Sequence, residues 1–195
     1  MGRRLKLSAD RTFFTSDTHF NHANIIRFCN RPFSSVEEMD EAMISNWNAV
    51  VGRTDLVIHC GDFAFGSQSR IQEIAGRLNG EIILVLGNHD NQRALSKLSR
   101  FHSVHDDLEV VIDGALVVLH HYAKRTWNKM GYGSYHFFGH SHGNLPPLGR
   151  SIDVGVDVWG FRPVKFHEIK SRLEELAVEE GAGLKNADSA QREGV

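Results

Sequence analysis

Five short runs of apolar residues recur along the chain, and each leads within a few residues to Asp, Asn or His. The runs cover residues 13–16, 56–58, 82–86, 116–119 and 135–138. Leu56, Val57 and Ile58 do not alternate with polar residues, which is typical of a strand buried on both faces, and Gly61 lets the backbone turn as it leaves the sheet. The pattern predicts five strands that deliver polar side chains to one edge.

Helical spacing of apolar residues appears between several of these runs. It predicts helices over residues 36–50 and 69–78, a short helix from 90 to about 100, and a last helix over 167–180. The first helix begins at a capping box formed by Ser35 and Glu38, and Gly52 supplies its stop. The alternation of strands and helices makes this half of the chain α/β.

A hairpin signal marks the second half of the chain. Asp113-Gly114 stands between the apolar runs 108–112 and 115–119, which predicts a type I′ turn. We expect a mostly antiparallel second sheet here, with further strands over residues 152–158 and 163–166. The two sheets are predicted to pack face to face with helices outside.

The length and composition are typical of a single domain with a complete hydrophobic core. The 195 residues are 41% hydrophobic, so we predict a single domain over residues 1–180 and a disordered tail over 181–195, which is small, polar and aperiodic. The formal net charge of −2 predicts no dedicated nucleic-acid-binding surface. Cys29 and Cys60 form no disulfide framework, and no run resembles a signal peptide or membrane span, so we expect a cytoplasmic protein. The oligomeric state stays open.

Potential metal ligands follow the predicted strands. Ligands of open α/β sheets bind beyond the carboxyl ends of the strands, so residues delivered there by separate strands can converge. The seven candidates are Asp17, His19, Asp62, Asn88, His121, His140 and His142. Seven O and N donors are too many for one tetrahedral zinc ion but suit two ions that share a carboxylate. The set therefore predicts a binuclear centre of the kind that hydrolyses phosphoesters.

The order of these motifs resembles that of the calcineurin-like metallophosphoesterases, from about residue 13 to 166. The motifs are Asp17-x-His19, Gly61-Asp62, Gly87-Asn88-His89-Asp90, a His after an apolar strand, and Gly139-His140-Ser141-His142. Asn21 departs from the pattern, since related small members often have Gly there. Metallo-β-lactamase-like hydrolases and amidohydrolase-like barrels also carry His-x-His pairs, but here no Asp-His pair follows and the pair comes last in the chain.

The resemblance implies a small, cap-less enzyme with a four-layer α/β/β/α sandwich of two mixed sheets flanked by helices. It also implies the division of the ligands: Asp62 bridges the ions, Asp17, His19 and His142 complete one site, and Asn88, His121 and His140 complete the other. Mn²⁺ is the first expectation for both ions, while Fe, Zn, Ni or Co also suit these donors.

Catalytic and substrate-binding residues are predicted around this centre. By resemblance, His89 donates a proton to the leaving oxygen or stabilises phosphoryl charge, and Asp90 orients its imidazole. The candidate substrate contacts are His22, Arg27, Lys124, Arg125 and Trp127. Lys124 and Arg125 are suited to phosphate and Trp127 to an aromatic leaving group, whereas a solvated loop is the alternative interpretation.

Only one residue of the pair His120-His121 can be the ligand. Successive side chains of a strand point to opposite faces, so the two imidazoles cannot reach the same ion. We predict His121, because it lies at the extreme end of the strand and because His121-Tyr122 resembles the His-Tyr of small family members. His120 is then expected to support a ligand or the core.

The function predicted from these residues is metal-dependent phosphoester hydrolysis by a hydroxide held between two ions. The expected enzyme is a phosphodiesterase with some monoesterase activity on a small phosphoester, without a membrane partner. The alternative is a metal-bearing scaffold of the same fold that binds other proteins. His89 favours the enzyme, because a scaffold has no need of a proton donor beside seven ligands.

Overall fold

Two five-stranded sheets form the centre of the molecule, which a computed structural model describes over residues 4–177. Both sheets are mixed, and helices flank them, so the predicted α/β fold is confirmed. The predicted tail over 181–195 and the predicted domain end at 180 lie outside the described residues. No helix between residues 4 and 177 has the length and apolar character needed to cross a membrane.

The first sheet has the strand order β10-β2-β3-β4-β5. Its strands are β2 Thr12–Thr15, β3 Leu56–His59, β4 Glu81–Val85, β5 Phe101–His105 and β10 Val164–Lys165. The strands β2 to β5 are parallel, whereas β10 pairs antiparallel with β2. The sequence did not predict β5, because this edge strand is polar and only partly buried and so lacks a clear apolar pattern.

The second sheet has the strand order β1-β6-β7-β8-β9. Its strands are β1 Leu5–Leu7, β6 Leu108–Ile112, β7 Ala115–Leu119, β8 Tyr135–Phe138 and β9 Ser151–Asp153. Only β6 and β7 are antiparallel, while the other three pairings are parallel. The expectation of a mostly antiparallel sheet is therefore wrong. The predicted hairpin is present, with φ of 45° at Asp113 and 89° at Gly114.

The connection between β7 and β8 is the long segment 120–134 rather than a tight turn. A long connection lets the chain return to the same end of the sheet, so β7 and β8 can run parallel. The predicted strand over 152–158 extends only to Asp153, and Val156–Val158 form a 3-10 turn.

The helices differ from their predictions mainly at the ends. Their bounds are α1 Ala23–Phe28, α2 Val36–Val50, α3 Gln68–Arg77 and α4 Gln92–Leu95, and α5 is helical over 166–177. Ser35 caps α2 by accepting from the Glu38 N–H, but the Glu38 carboxylate accepts from the Ser34 N–H. Helix α2 ends before Gly52, because Val51 already has an extended backbone.

Two apolar layers hold the elements together. Alternate residues of β2 point to opposite faces: Phe13 joins the cluster that contains α2 and α3, and Phe14 joins the cluster between the sheets. The ring centroids of Phe14 and Phe137 lie 5.0 Å apart, so the two sheets are in direct contact. Helix α5 adds Ile169 to the cluster between the sheets. This packing fixes the strand ends that carry the polar motifs.

Candidate metal centre

The predicted ligands converge at the carboxyl ends of five strands from both sheets. Asp17 follows β2, Asp62 follows β3, Asn88 follows β4, His121 follows β7, and His140 and His142 follow β8. A direct link joins the sheets, since both carboxylate oxygens of Asp17 accept from the His140 N–H, at 3.1 and 2.9 Å. The parallel direction of β7 and β8 places their ends at the same edge as the first sheet.

One cluster of potential ligand atoms contains Asp17, His19 and His142. Their ligand atoms all lie within 4.8 Å of one another. The imidazoles of His19 and His142 are stacked, with ring centroids 5.3 Å apart. We call these three residues the first group, and they are the residues predicted for one ion.

A second cluster contains Asp62, His121 and His140, whose ligand atoms also lie within 4.8 Å of one another. Asn88 adjoins it, because its Oδ1 is 3.0 Å from Nε2 of His121. We call these four residues the second group. They include every residue predicted for the other ion.

Asp62 lies between the two groups. Its Oδ2 is 3.5 Å from Nε2 of His19 and 3.5 Å from Nε2 of His121. One carboxylate oxygen is therefore equally near a nitrogen of each group, which is the position expected of a bridging ligand.

A buried ring nitrogen of His19 that has no hydrogen-bond partner within residues 4–177 suits a cation at this position. Its Nε2 is buried and has no hydrogen-bond partner among the residues that the structure describes, although a buried polar atom normally has one. Burial, together with the nearby His142, lowers the pKa of His19 and so keeps the ring neutral. Burial also raises the pKa of Asp17. A divalent cation would coordinate the lone pair and offset the cost of the buried carboxylate, so the residues fit a metal ion.

Hydrogen bonds to Nδ1 leave the other ring nitrogen of two histidines available. Nδ1 of His121 lies 2.8 Å from the Cys60 carbonyl, and Nδ1 of His142 lies 2.7 Å from Oδ2 of Asp157. In the neutral ring Nδ1 donates in both cases, which leaves the lone pair on Nε2. Burial, the largest single influence, lowers the pKa of His142, but the hydrogen bond to Asp157 and the charges of Asp17 and Asp157 together raise this pKa above its usual value.

Left-handed backbone conformations are concentrated at the predicted ligands, a feature that the sequence did not reveal. The ligand residues with positive φ are Asp17 (55°), His19 (49°), Asp62 (58°), His140 (65°) and His142 (46°). Such a conformation is uncommon for residues other than Gly and typically costs about 1–3 kcal/mol. Asn21 also has a φ of 60°, which explains how it substitutes for Gly: Asn tolerates this region better than most residues.

Two glycines are required because carboxylates lie against their backbone. A Cβ at Gly139 would overlap Oγ of Ser16 and Oδ2 of Asp17, and a Cβ at Gly87 would overlap Oδ1 of Asp62. Both positions therefore require Gly because a side chain would not fit beside the carboxylates. The backbone conformation is not the reason, since neither residue has a positive φ.

The role predicted for Asp90 is corrected by its hydrogen bonds. Oδ2 accepts from the N–H groups of Asp62 and Gly87, at 2.8 and 2.9 Å, and Oδ1 accepts from the N–H of Phe63 at 3.1 Å. Among the hydrogen bonds of residues 4–177 none joins Asp90 to the imidazole of His89, so the expectation that Asp90 orients this ring is wrong. Asp90 instead ties the loop after β3 to the loop after β4.

His89 lies at the exposed side of the centre. Its N–H donates to Oδ1 of Asp62 at 2.9 Å, and its ring centroid is 5.7 Å from that of His19. The ring is exposed. It is therefore accessible to a substrate that reaches the two groups.

The predicted substrate contacts divide into two sets. His22 adjoins the centre, because its Nδ1 is 3.4 Å from Nδ1 of His19 and its ring stacks on Phe65 with centroids 3.9 Å apart. Arg27, on the exposed part of α1, lies over the ring of Phe28 at 5.4 Å.

The predicted substrate contacts that follow His121 in the sequence lie away from the ligand groups. Lys124 forms an ion pair with Asp107, and Trp127 donates to Oγ of Ser134 at 3.0 Å while its ring contacts His136. These contacts hold Lys124 and Trp127 on the second sheet, and the structure does not bring them to the ligands. Arg125 is exposed on the same loop.

The two adjacent histidines diverge, as predicted. His121 is 1% exposed and faces Asp62. Nδ1 of His120 accepts from the Tyr122 N–H at 3.0 Å, and its Nε2 is 3.9 Å from Asp107. Only His121 belongs to a ligand group.

Residues that the sequence analysis did not assign support the ligands. Asp153 accepts from the Gly155 N–H at 2.6 Å, and its other oxygen accepts from the Ser141 hydroxyl and from the Gly143 N–H at 3.0 Å. It therefore holds the loop that carries His140 and His142. Asp157 and Arg31 form a buried ion pair beside His142. No local motif identifies these residues, because their partners are distant in the sequence.

The chain is similar to known proteins over most of its length. A family model described as a calcineurin-like phosphoesterase superfamily domain matches residues 11–146. An uncharacterized protein of Methanocaldococcus jannaschii is 35% identical over 178 residues, which cover 86% of this chain and 94% of that protein. The gene 66 protein of Mycobacterium phage L5 is 28% identical over 203 residues, covering 87% and 97%.

Among solved structures, a protein of unknown function from Aquifex aeolicus superposes with a TM-score of 0.67 and 25% identity. The alignment covers 82% of this chain and 97% of that one. The similarity thus extends over nearly the full length of each of these relatives.

Proposed function

The chain belongs to the calcineurin-like phosphoesterase superfamily, and on this premise we propose that it is a phosphodiesterase with some monoesterase activity that requires two divalent metal ions. Membership of the superfamily supports hydrolysis of phosphoester bonds. The requirement for two ions and the preference for diesters are our proposal.

The position of Asp62 carries this proposal. Its Oδ2 is 3.5 Å from a ring nitrogen in each ligand group, and one of those nitrogens, Nε2 of His19, is buried without a hydrogen bond in the described part of the chain. A single ion would leave one group without a cation. Two ions that share Asp62 would satisfy both groups.

The roles of the ligands follow from the two groups. Asp17, His19 and His142 would hold one ion, Asn88, His121 and His140 would hold the other, and Asp62 would bridge them. Mn²⁺ is the proposed metal, because O and N donors of this mixture suit it. When bound, two such ions polarise a phosphoryl group and lower the pKa of a water between them.

His89 is the proposed group that acts on the leaving oxygen. Its backbone N–H is fixed by Asp62, which holds the residue beside the bridging carboxylate, while its imidazole is exposed. A positioned imidazole can protonate a leaving alkoxide or stabilise charge on the phosphoryl oxygens. Asp90 contributes by fixing the two loops that carry Asp62 and His89.

The substrate is proposed to be a small phosphoester that enters beside Asn88, His89 and His140, the exposed members of the site. His22 and Arg27 are the proposed contacts outside the ligand groups, since His22 adjoins His19 and Arg27 lies on the helix that follows. Lys124 and Trp127 are not proposed as substrate contacts, because Lys124 pairs with Asp107 and Trp127 donates to Ser134.

The test combines elemental analysis with hydrolysis of two chromogenic substrates. Chelator-treated protein is reconstituted with Mn²⁺ and assayed on bis(p-nitrophenyl) phosphate and on p-nitrophenyl phosphate. We expect two ions per chain and faster hydrolysis of the diester. Asp62→Asn should lose activity on both esters, whereas Asp107→Asn, a surface control, should retain it. Full activity with one ion or none would show that the binuclear proposal is wrong.

A further inference from the structure

A buried arginine connects all three residues of the first ligand group. Arg31 follows α1 and is 4% exposed. It donates two hydrogen bonds to Asp157, from Nε to Oδ1 at 2.8 Å and from Nη2 to Oδ2 at 2.9 Å. Such a bidentate pair fixes both the position and the plane of the carboxylate.

The carboxylate that Arg31 fixes is the one that orients His142. Oδ2 of Asp157 lies 2.7 Å from Nδ1 of His142. Since this bond holds the proton on Nδ1, it sets both the tautomer and the direction of the lone pair on Nε2. Carboxylate–histidine contacts of this kind typically change metal affinity by about 10- to 100-fold when they are removed.

The same guanidinium holds the backbone that carries the other two residues. Nη2 donates to the carbonyl of Asp17 at 2.7 Å, and Nη1 donates to the carbonyl of Thr18 at 3.0 Å. Asp17 and His19 flank this peptide and both have positive φ, a conformation that must be held by its surroundings. Arg31 therefore contacts the support of every ligand in the first group.

Among the described residues, no arginine–carboxylate pair supports the ligands of the second group. Nδ1 of His121 bonds to the neutral carbonyl of Cys60, and His140 is exposed. The two halves of the centre are thus built differently, although they share Asp62.

We propose that the Arg31–Asp157 ion pair positions His142 and the Asp17–His19 turn, and that it makes the first group the tighter of the two metal sites. The inference rests on the proposed pair of ions. Arg31 and Asp157 belong to neither ligand group and would act through the ligands.

The test measures the two binding constants separately. Metal-free protein is titrated with Co²⁺, followed by calorimetry and by the visible absorption of the bound ion. For Asp157→Asn, which keeps the shape but removes the charge, we expect the tighter constant to weaken by about 10- to 100-fold and the weaker one to change little. Arg31→Lys keeps the charge but loses the paired hydrogen bonds, so it should weaken the same constant.

A matched control is Glu168→Gln, because Glu168 also pairs with an arginine, Arg162, and accepts from a backbone N–H. This variant should leave both Co²⁺ constants unchanged. If Asp157→Asn does not fold, Arg31→Lys decides the question by the same criterion.

Equal weakening of both constants would reduce the pair to a general structural role, and unchanged constants would exclude any role; either result overturns the proposal. A wild-type protein that binds two Co²⁺ ions but hydrolyses no phosphoester would reject the proposed function and leave this inference standing.

Discussion

Individual side chains of the centre differ in what they contact, and the adjacent residues His120 and His121 show this most directly. The ring of His121 is buried beside Asp62, whereas that of His120 turns toward Tyr122 and Asp107. Sequence position alone does not separate two neighbouring histidines. The two histidines are distinguished by the face of the strand to which each ring points.

We predict that His121→Ala binds close to one equivalent of tightly held metal and is almost inactive. His120→Ala should bind both ions and retain measurable activity, with a loss of at most about 10- to 100-fold. Elemental analysis after gel filtration, together with diester hydrolysis, measures both properties. The reverse pattern would transfer the ligand role to His120.

His89 is proposed to act on the substrate through its imidazole and not as a metal ligand. We predict that His89→Ala keeps both ions, because its ring belongs to neither ligand group. Its rate should fall by about 10²- to 10⁴-fold on esters with poor leaving groups and by less on p-nitrophenyl esters, because only poor leaving groups need a proton. Rates across a series of leaving-group pKa values give the comparison. Loss of metal in this variant would make His89 a ligand.

At the scale of elements, close backbone contacts and hydrogen bonds hold the loops that follow the strands. Gly139 lies where Ser16 and Asp17 approach β8, so the two sheets meet at its Cα. Asp90 similarly ties the loops after β3 and β4 through three backbone N–H groups. The geometry of the centre is therefore a property of paired loops rather than of single motifs.

Gly139→Ala tests the close approach of the two sheets. The added methyl group would overlap the Asp17 carboxylate, so we expect weaker binding of the ion held by the first group and a loss of hydrolysis. Gly76→Ala is the matched control, because nothing lies within 4 Å of a Cβ at this helical position. It should keep full activity and stabilise the protein by roughly 0.5–1 kcal/mol. Metal titration and thermal unfolding distinguish the two variants; equal activity in both would contradict this account.

For the whole molecule, the centre exists only when five strand ends from two sheets are assembled. The unfolded chain separates Asp17 from His142 by more than a hundred residues, so it cannot offer the same set of ligands. Metal binding must then favour the folded state.

We predict that Mn²⁺ at about 100 times its dissociation constant stabilises the protein by about 2.7 kcal/mol for each site. For a chain of this size the melting temperature should rise by roughly 5–10 °C for one site. Differential scanning fluorimetry with chelator and with Mn²⁺ measures this shift. Asp62→Asn should show a much smaller one, and an equal shift in that variant would mean that the ions bind elsewhere.

The sequence alone determined the class of fold and the set of potential ligands at the ends of the strands. Apolar runs that end in Asp, Asn or His are local patterns, and a strand buried on both faces requires no knowledge of its neighbours. The hairpin at Asp113-Gly114 was equally readable, because its turn is set by two adjacent residues. These features depend on short-range stereochemistry, and so they appear in the order of the residues.

Tertiary structure decided which strands are neighbours and what supports the ligands. The mostly parallel pairing of the second sheet, the edge strand β5 and the pairing of β10 with β2 depend on connections and packing that no local pattern encodes. Asp157 meets Arg31 across 126 positions, and Asp90 bonds to backbone rather than to His89. Hydrogen-bond partners are determined by proximity in the folded chain, where a buried donor without a partner is costly, and the sequence does not reveal that proximity.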